Sequence, residues 1–382
     1  MDFTRIRSFI SKNAVAVIAA AVAVASMFFV PPDAAYLAYF DMRTLACLFC
    51  LLAIVQAFRG IGVFNVVASA IIRRFKTLRS VVLALVVLTL VASPFITNDM
   101  ALIMFLPLTA LVLLSSRNER MLPFTFTMQA LAANLGGMLL PFGNPQNIFL
   151  NSHFGISFPD FILTMAPSWA ASVLLIIVCC IIGVKSVPVE VPRDSANDRI
   201  RLPRKRVVLY LVLFAMALCM VFRVVPPVIG TIVIAAVLVF ADSSVFKRVD
   251  YGLLLTFVFF FIFSGNMARI PGIQEFLTGL MGEHALLTSA LTSQVISNVP
   301  AAILLAPFTG AYQELLVGVN IGGAGTLVAS LASLIAFNQF RSVKSEFGHI
   351  EGVAKLTNAR YVGLFSAFNF AFLAVLVALC LA

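Results

Sequence analysis

The sequence predicts an all-α polytopic membrane protein, folded as an inverted repeat with two re-entrant hairpins and two broken transmembrane helices. Three observations carry that prediction: a composition suited to lipid, a one-sided distribution of basic residues, and a set of short motifs that recurs about two hundred residues on. Of the 382 residues, 62% are hydrophobic and 11% charged, against roughly a quarter charged in a soluble domain. The mean hydropathy is +1.06. Lipid is the solvent such a composition fits.

In chain order, NAVAVIAAAVAVASMFFV (13–30) is long enough to cross at about 18 residues. It lacks a small-residue cleavage site before Pro31, so it reads as a span and not as a removable leader. Further spans fit at 42–58, 125–150, 161–184, 207–222, 227–241, 251–266, 319–338 and 361–381, with 80–115 and 285–316 as re-entrant hairpins. With the N-terminus in the cytoplasm, this threading puts all of the 26 Lys and Arg residues on the cytoplasmic side except Arg43, Arg223 and Arg269. That skew follows the positive-inside rule. The net charge of +10 is therefore topological; the expected partner is a lipid bilayer, the bacterial inner (plasma) membrane, and not a nucleic acid.

The charged, Pro-containing stretch KSVPVEVPRDSANDRIRLPRKR (185–206) reads as a cytoplasmic linker. It separates a first repeat, 1–184, with hairpin 80–115 and broken helix 125–150, from a second, inverted repeat, 207–382, with hairpin 285–316 and broken helix 319–338. The segments 60–76 and 269–283 look like amphipathic arms lying in the interface, started by Arg59 and Arg269. The six cysteines all fall in apolar spans. Cys47 and Cys50 form a CxxC with no His or acid nearby, which favours packing over metal or redox chemistry.

The repeat rests on paired motifs in the same order. TNDMALIMFLPL (97–108) matches SNVPAAILLAPF (297–308), ANLGG (133–137) matches VNIGG (319–323), RGIG (59–62) matches RIPG (269–272), and FVPP (29–32) matches VVPP (224–227). An odd number of spans, five, separates the hairpins, so the second half is inverted relative to the first. The second half carries an extra helix at 227–241, where PPDAAYLAYFD (31–41) in the first is too short to cross. Inverted repeats with broken helices are the signature of secondary transporters, whose sites lie near the midplane.

At a hairpin tip one helix ends and another begins. The ending helix offers carbonyls that suit a cation, and the starting helix offers N–H groups that suit an anion. Thr97 and Ser297 are good N-cap residues, and Asn98 and Asn298 can both donate and accept. In NLGGMLLPFGNPQN (134–147), glycines and prolines forbid a regular helix, while Asn134, Asn144, Gln146 and Asn147 supply amides. Gly322, Gly323, Gly325 and Thr326 play the corresponding part in NIGGAGTLVASLAS (320–333), followed by Ser330 and Ser333. Asp99 breaks the symmetry, since its partner is Val299. It is the one acid of 16 that this threading puts in the membrane core, at a cost of about 3 kcal/mol or more. Three roles compete for it: a hard oxygen ligand to sodium, a proton carrier, since desolvation favours the neutral acid, or a cap on the second hairpin helix. With no Lys or Arg at the site, an anion would be met by helix N-termini, amides and a co-bound cation.

These motifs resemble the ion transporter superfamily of divalent anion/sodium symporters, citrate transporters and arsenite permeases, and most closely its compact bacterial anion permeases. TND (97–99), SNV (297–299), GNPQN (143–147) and the NxGG pairs carry the resemblance, which covers nearly the whole chain. It implies two cation sites near the tips, an elevator-type motion and, in many members, a homodimer. It places Thr97, Asn98, Asn144, Ser297, Asn298 and Thr326 at a substrate site and Asn98, Gly137, Asn298 and Gly325 at coupling-ion sites, to which the reading of the residues above adds Asp99. The sodium symporters have a small hydroxyl residue after each hairpin Asn; Asp99 and Val299 stand there instead, and an acid in that place looks more like the arsenite-permease branch. The expected function is cation-coupled (Na⁺ or H⁺) transport of a small anion such as a carboxylate or oxyanion. The alternative is proton-coupled efflux of arsenite or a similar metalloid. No cofactor is expected beyond Na⁺ as a candidate coupling ion. An intramembrane aspartyl enzyme would need a second carboxylate beside Asp99, and a channel would conduct without saturating.

Overall fold

The computed structural model describes residues 14–64, 66, 74–189 and 202–382. The basic N-terminus, about half of the 60–76 arm and most of the 185–206 linker therefore lie outside the described residues. Helices make up the rest: α1 (Ala14–Met27), α2 (Met42–Gly60), α3 (Leu78–Ile96), α4 (Asn98–Ser115), α5 (Leu122–Gly136), α6 (Pro145–Phe154) and α7 (Phe158–Gly183). After the linker come α8 (Arg204–Val221), α9 (Pro227–Asp242), α10 (Tyr251–Ala268), α11 (Pro271–Ile296), α12 (Asn298–Leu305), α13 (Tyr312–Ile321), α14 (Leu331–Phe347), α15 (Glu351–Ala354) and α16 (Asn358–Leu381). Seven helical stretches among the described residues are apolar and long enough to cross a membrane. The chain is an all-α polytopic membrane protein.

Each of the nine predicted spans is a helix or a helix–break–helix pair. The first pair is α5 and α6, interrupted at 137–144; the second is α13 and α14, interrupted at 322–330. Two boundaries need correction. The second hairpin, expected over 285–316, closes at Phe308, because Thr309 turns extended and its Oγ1 accepts the Ala311 N–H at 3.0 Å, so that Tyr312 starts a new helix. The second broken helix accordingly covers 312–347 rather than 319–338, and the charged RSVKSEF run (341–347) beyond the expected span is its last turns. The arm expected over 269–283 is helical from Pro271 and set off from the hairpin by a non-helical bend at His284; Phe276 and Leu280 on it are exposed.

The hairpins are held in register by their own side chains. In the first, Val81 and Leu85 of α3 pack on Leu108 and Val112 of α4, so the two helices run antiparallel from a tip at Thr97. A capping box of Thr77 and Ser80 starts α3. The open end of this hairpin is pinned beside the C-terminal end of α7: Leu78 N–H donates to Val187 O at 2.8 Å, and Arg79 Nε to Val184 O at 2.8 Å. The chain leaving the second hairpin lies beside the opposite end of α7, where the Tyr312 ring meets Phe154. With α7 about 39 Å long at 1.5 Å per residue, the hairpins approach each other from opposite ends of the molecule.

Around them, α1 lies along α10 while α8 and α9 pack on α2. Asn266 of α10 donates to Ser26 Oγ and Tyr36 OH, both at 2.9 Å, which ties α10 to α1 and to the short 3-10 turn Ala34–Tyr39. On the rim, Arg223 donates to Ser152 O at 2.9 Å and joins the α8–α9 link to the end of α6.

Candidate functional site

Thr97 and Ser297 share one backbone conformation, φ 69° and ψ 151° against φ 78° and ψ 154°. Positive φ in a β-branched residue such as Thr97 is strained, and strain of that kind persists where the surroundings enforce it. Neither side chain caps the helix that follows, contrary to the sequence expectation. The left-handed backbone turns both hydroxyls away from the free N–H groups, and the next residue takes over. Asn98 Oδ1 accepts from Asp99 N–H and Asn298 Oδ1 from Val299 N–H, each at 2.9 Å.

The tips meet the breaks in matched ways. Gly136 lies against the backbone of Leu90 and Gly322 against that of Ala290, so close that a Cβ on either would overlap main-chain atoms. Gly137 abuts Asn144 Oδ1 and Ser93 Oγ, and Gly323 abuts Asn298 Nδ2. Five buried amides then bolt one break to the other. Asn98 Nδ2 donates to Asn134 Oδ1 at 3.2 Å, and Asn134 Nδ2 to Ser330 Oγ at 2.8 Å and Gly323 O at 3.2 Å. Asn320 Nδ2 donates to Asn147 Oδ1 at 2.7 Å, while its Oδ1 accepts from Gln146 at 3.0 Å and Asn144 at 3.3 Å. Asn134, Asn144, Gln146, Asn147 and Asn320 are each at most 2% exposed, so water does not compete for these bonds.

The carbonyls freed at the breaks are covered differently in the two halves. Asn147 Nδ2 reaches Leu140 O at 3.0 Å and Met138 O at 3.2 Å. In the second half Gln294 Nε2 donates to Gly322 O at 2.7 Å and Ala324 O at 3.0 Å, and its Oε1 accepts from Thr326 N–H at 2.8 Å. Thr326 Oγ1 in turn donates to Gln294 O at 2.8 Å. Gly325 has φ 132° and faces Gln294 Oε1, a conformation and a space that only glycine fits without strain.

The structure thus brings Asn98, Gly137 and Asn144 together on one side, and Ser297, Asn298, Gly325 and Thr326 on the other, with Asn134 between them. Asp99 lies in the first turn of α4 beside this cluster; its Oδ1 is buried and without a hydrogen-bond partner, as are Asn144 Oδ1 and Gln146 Oε1. Of these oxygens, Asn144 Oδ1 lies against Gly137 beside Ser93 Oγ, and oxygens of this kind are what a small hard cation takes. Ser93 and Gln294 were not singled out in the sequence, and Asn320 only as the Asn of the second NxGG motif. Ser93 and Ser293 recur one turn before the two tips, a signal that was readable; Gln294 faces Pro94 in the repeat and had none.

Four helices, α4, α6, α12 and α14, start within this cluster, and α3, α5, α11 and α13 end there. Broken helices converging on a buried amide core inside an apolar helical bundle define a membrane transporter. The chain belongs to the citrate transporter family, whose model matches residues 3–317. Inner membrane protein YbiR of Escherichia coli (strain K12) is 34% identical over 316 residues, 81% of this chain and 83% of that protein. The uncharacterized transporter MJ0456 of Methanocaldococcus jannaschii is 31% identical over 300 residues, 77% of this chain and 80% of its own. A shorter likeness, 29% over 150 residues, links 38% of the chain to 30% of silicon efflux transporter LSI3 of rice, Oryza sativa subsp. japonica.

Proposed function

We propose that this protein is a cation-coupled secondary transporter of a small anion, a carboxylate or an oxyanion, driven by Na⁺ or H⁺. The observation that carries the reading is the convergence of four helix starts and four helix ends on one buried amide core. Helix starts present N–H groups and positive dipole ends to an anion, and helix ends present carbonyls to a cation. With no Lys or Arg among the amides, the anion's charge is balanced by dipoles and by the co-bound cation. Asp99 is the group that ties the cation to the cycle. In this reading the halves are inverted repeats, the hairpins are re-entrant, and the N-terminus and the 185–206 linker face the cytoplasm of a bacterial inner membrane. The hairpins and broken helices move together against α1, α2 and α8–α10 in an elevator-type cycle, in a homodimer.

A second reading has a specific observation behind it. The partial likeness to a silicon efflux transporter, together with an acid after the first hairpin Asn, favours proton-coupled efflux of a neutral metalloid hydroxide such as arsenite. One experiment separates the two. Currents and tracer fluxes are recorded from proteoliposomes of wild type and Asp99→Asn, with citrate, other carboxylates, oxyanions and arsenite, with and without Na⁺ and across pH. Saturable anion transport that needs Na⁺ or H⁺ and vanishes in the variant supports the first reading. Transport of arsenite with counterflow of protons supports the second, and anion transport unaltered in Asp99→Asn removes Asp99 from coupling.

A further inference from the structure

Between the first hairpin and α5 runs a buried file of polar groups that the amide core does not use. Helices α3 and α5 lie side by side in parallel register: Ser93 Oγ donates to Ala133 O at 2.5 Å, and Gln129 Nε2 to Thr89 Oγ1 at 3.0 Å. Thr89 Oγ1 is spent on both sides, since it also donates to Leu85 O at 2.8 Å. Gln129 Oε1 has no partner, nor does Thr125 Oγ1 one turn before it on the same helix face, and both residues are 0% exposed. The packing of Val81 and Leu85 on Leu108 and Val112 sets Thr109 at the same level, and its Oγ1 is also 0% exposed and unpartnered. Pro94 lacks an N–H, so Leu90 O, between Thr89 and Ser93, loses its helical partner and is covered by Gly136 instead. The file ends at Asn144 Oδ1, unpartnered beside Ser93 and Gly137.

Buried polar atoms are nearly always satisfied, by protein, water or an ion. A row of orphans about 12 Å long, from Thr125 to Ala133 at 1.5 Å per residue, calls for water or an ion. Its chemistry is one-sided. Gln129 Oε1 and Asn144 Oδ1 are acceptors only, and the two threonine hydroxyls can turn either way. Oxygen acceptors in sequence suit a small hard cation and repel an anion. The second half has no such row. By the NxGG register, Leu315 stands in place of Gln129 and Ala311 in place of Thr125, while Ser289 Oγ is bonded to Leu286 O at 3.0 Å.

We infer that this file is a path for the coupling cation, Na⁺ or hydronium, between the first hairpin tip and the end of the molecule near Leu122. The cation then enters or leaves through the first half alone, separately from the anion. The inference rests on the coupling reading above, so its test is made without turnover. Single variants Thr125→Cys, Gln129→Cys and Leu315→Cys in membrane vesicles are labelled with the small cation 2-aminoethyl methanethiosulfonate and with its anionic sulfonate counterpart. Labelling is read peptide by peptide by mass spectrometry, so the native cysteines stay in place, and buried Cys50 and Cys180 serve as protected references.

A dry buried thiol reacts only through local opening, so a hydrated path makes Thr125→Cys and Gln129→Cys react at least about tenfold faster than Leu315→Cys. The anionic reagent lags behind the cationic one at both positions. Protection by Na⁺ relative to choline assigns the path to sodium, and cation-selective labelling that Na⁺ leaves unchanged assigns it to hydronium. Rates no higher than Leu315→Cys, or equal rates for both reagents, overturn the path. Because labelling needs no substrate, that result leaves the coupling reading standing, whereas failure of the Asp99 transport test leaves the labelling result intact.

Discussion

The two hairpin tips have the same backbone and opposite chemistry. Thr97 and Ser297 turn alike, Asn98 and Asn298 bond alike, and Gly136 and Gly322 seat their breaks alike. Beyond that shared frame the tips differ in charge, although an amide covers the carbonyls of each break, Asn147 in the first and Gln294 in the second. The first tip has Asp99, a proline that frees a carbonyl, and unpartnered oxygens leading away from it. The second has Val299, and Gln294 donating to the carbonyls of its own break. An amide NH₂ among carbonyls meets the need that a cation would otherwise meet, at no cost in net charge. The comparison teaches that the frame holds the helix ends in place, and that a few side chains set how the two tips differ.

The largest effect expected from breaking this asymmetry is on coupling. Asp99→Asn abolishes cation-driven flux in proteoliposomes, while Val299→Asn leaves it at the wild-type level. Equal losses in both variants would mean that the tips are functionally alike. Next come the matched glycines. Gly137→Ala pushes a methyl into Asn144 Oδ1 and Ser93, whereas Gly323→Ala meets Asn298 Nδ2 at 3.0 Å, a contact that yields with a small shift. Overpacking of the first kind costs about 1–3 kcal/mol, so thermal unfolding in detergent shows a clear loss for Gly137→Ala and little for Gly323→Ala.

The amide bolts rank third. Asn134→Ala removes three bonds and leaves Asn98 Nδ2 and Ser330 Oγ to find others, for about 1–3 kcal/mol. Hydrogen bonds between membrane helices average about 0.6 kcal/mol each, which puts the loss toward the lower end of that range. Asn134 and Asn320 belong to one network, so the double variant loses less than the sum of the singles. Additive losses would show two independent clusters instead of one joint.

Much of this was legible in the chain. The all-α membrane class stands out because long apolar runs need no tertiary context, and the capping box of Thr77 and Ser80 starts the first hairpin's leading helix at Leu78, two residues before the expected 80. The amides of NLGGMLLPFGNPQN stood out because so many polar groups gather in an otherwise apolar stretch. The misses have local causes. AYQELLVG (311–318) looks like the end of a hairpin, yet Thr309 breaks the helix first. Thr97 and Ser297 have the composition of caps, but their backbone takes the hydroxyls out of reach. Gln129 and Gln294 lie on helix faces whose importance comes from the register of α3 with α5 and of α11 with α13, which no single segment encodes.

The smallest effect is at the rim, and it tests whether the asymmetry of the halves reaches the surface. Arg269, at the start of the second arm, pairs with Asp33 at 2.6 Å and also donates to Tyr39 OH at 3.0 Å. The Arg269 guanidinium holds the Asp33 carboxyl below its usual range, with the N–H groups of Ala35 and Tyr36 adding to the effect. The sign follows from that direction. A carboxylate whose folded value is depressed contributes stability at pH values above its unfolded value near 3.9, and that contribution is lost as pH falls through the lower folded value. Both side chains are more than a third exposed, so solvent screens the pair and its effect is slight. Asp33→Asn therefore leaves transport and neutral-pH thermal stability close to wild type. Thermal unfolding followed from pH 7 down to pH 3 then shows the two proteins converging only at the acid end. A marked loss at pH 7 would make this ion pair part of the joint between the halves, with the asymmetry extending from the tips to the rim.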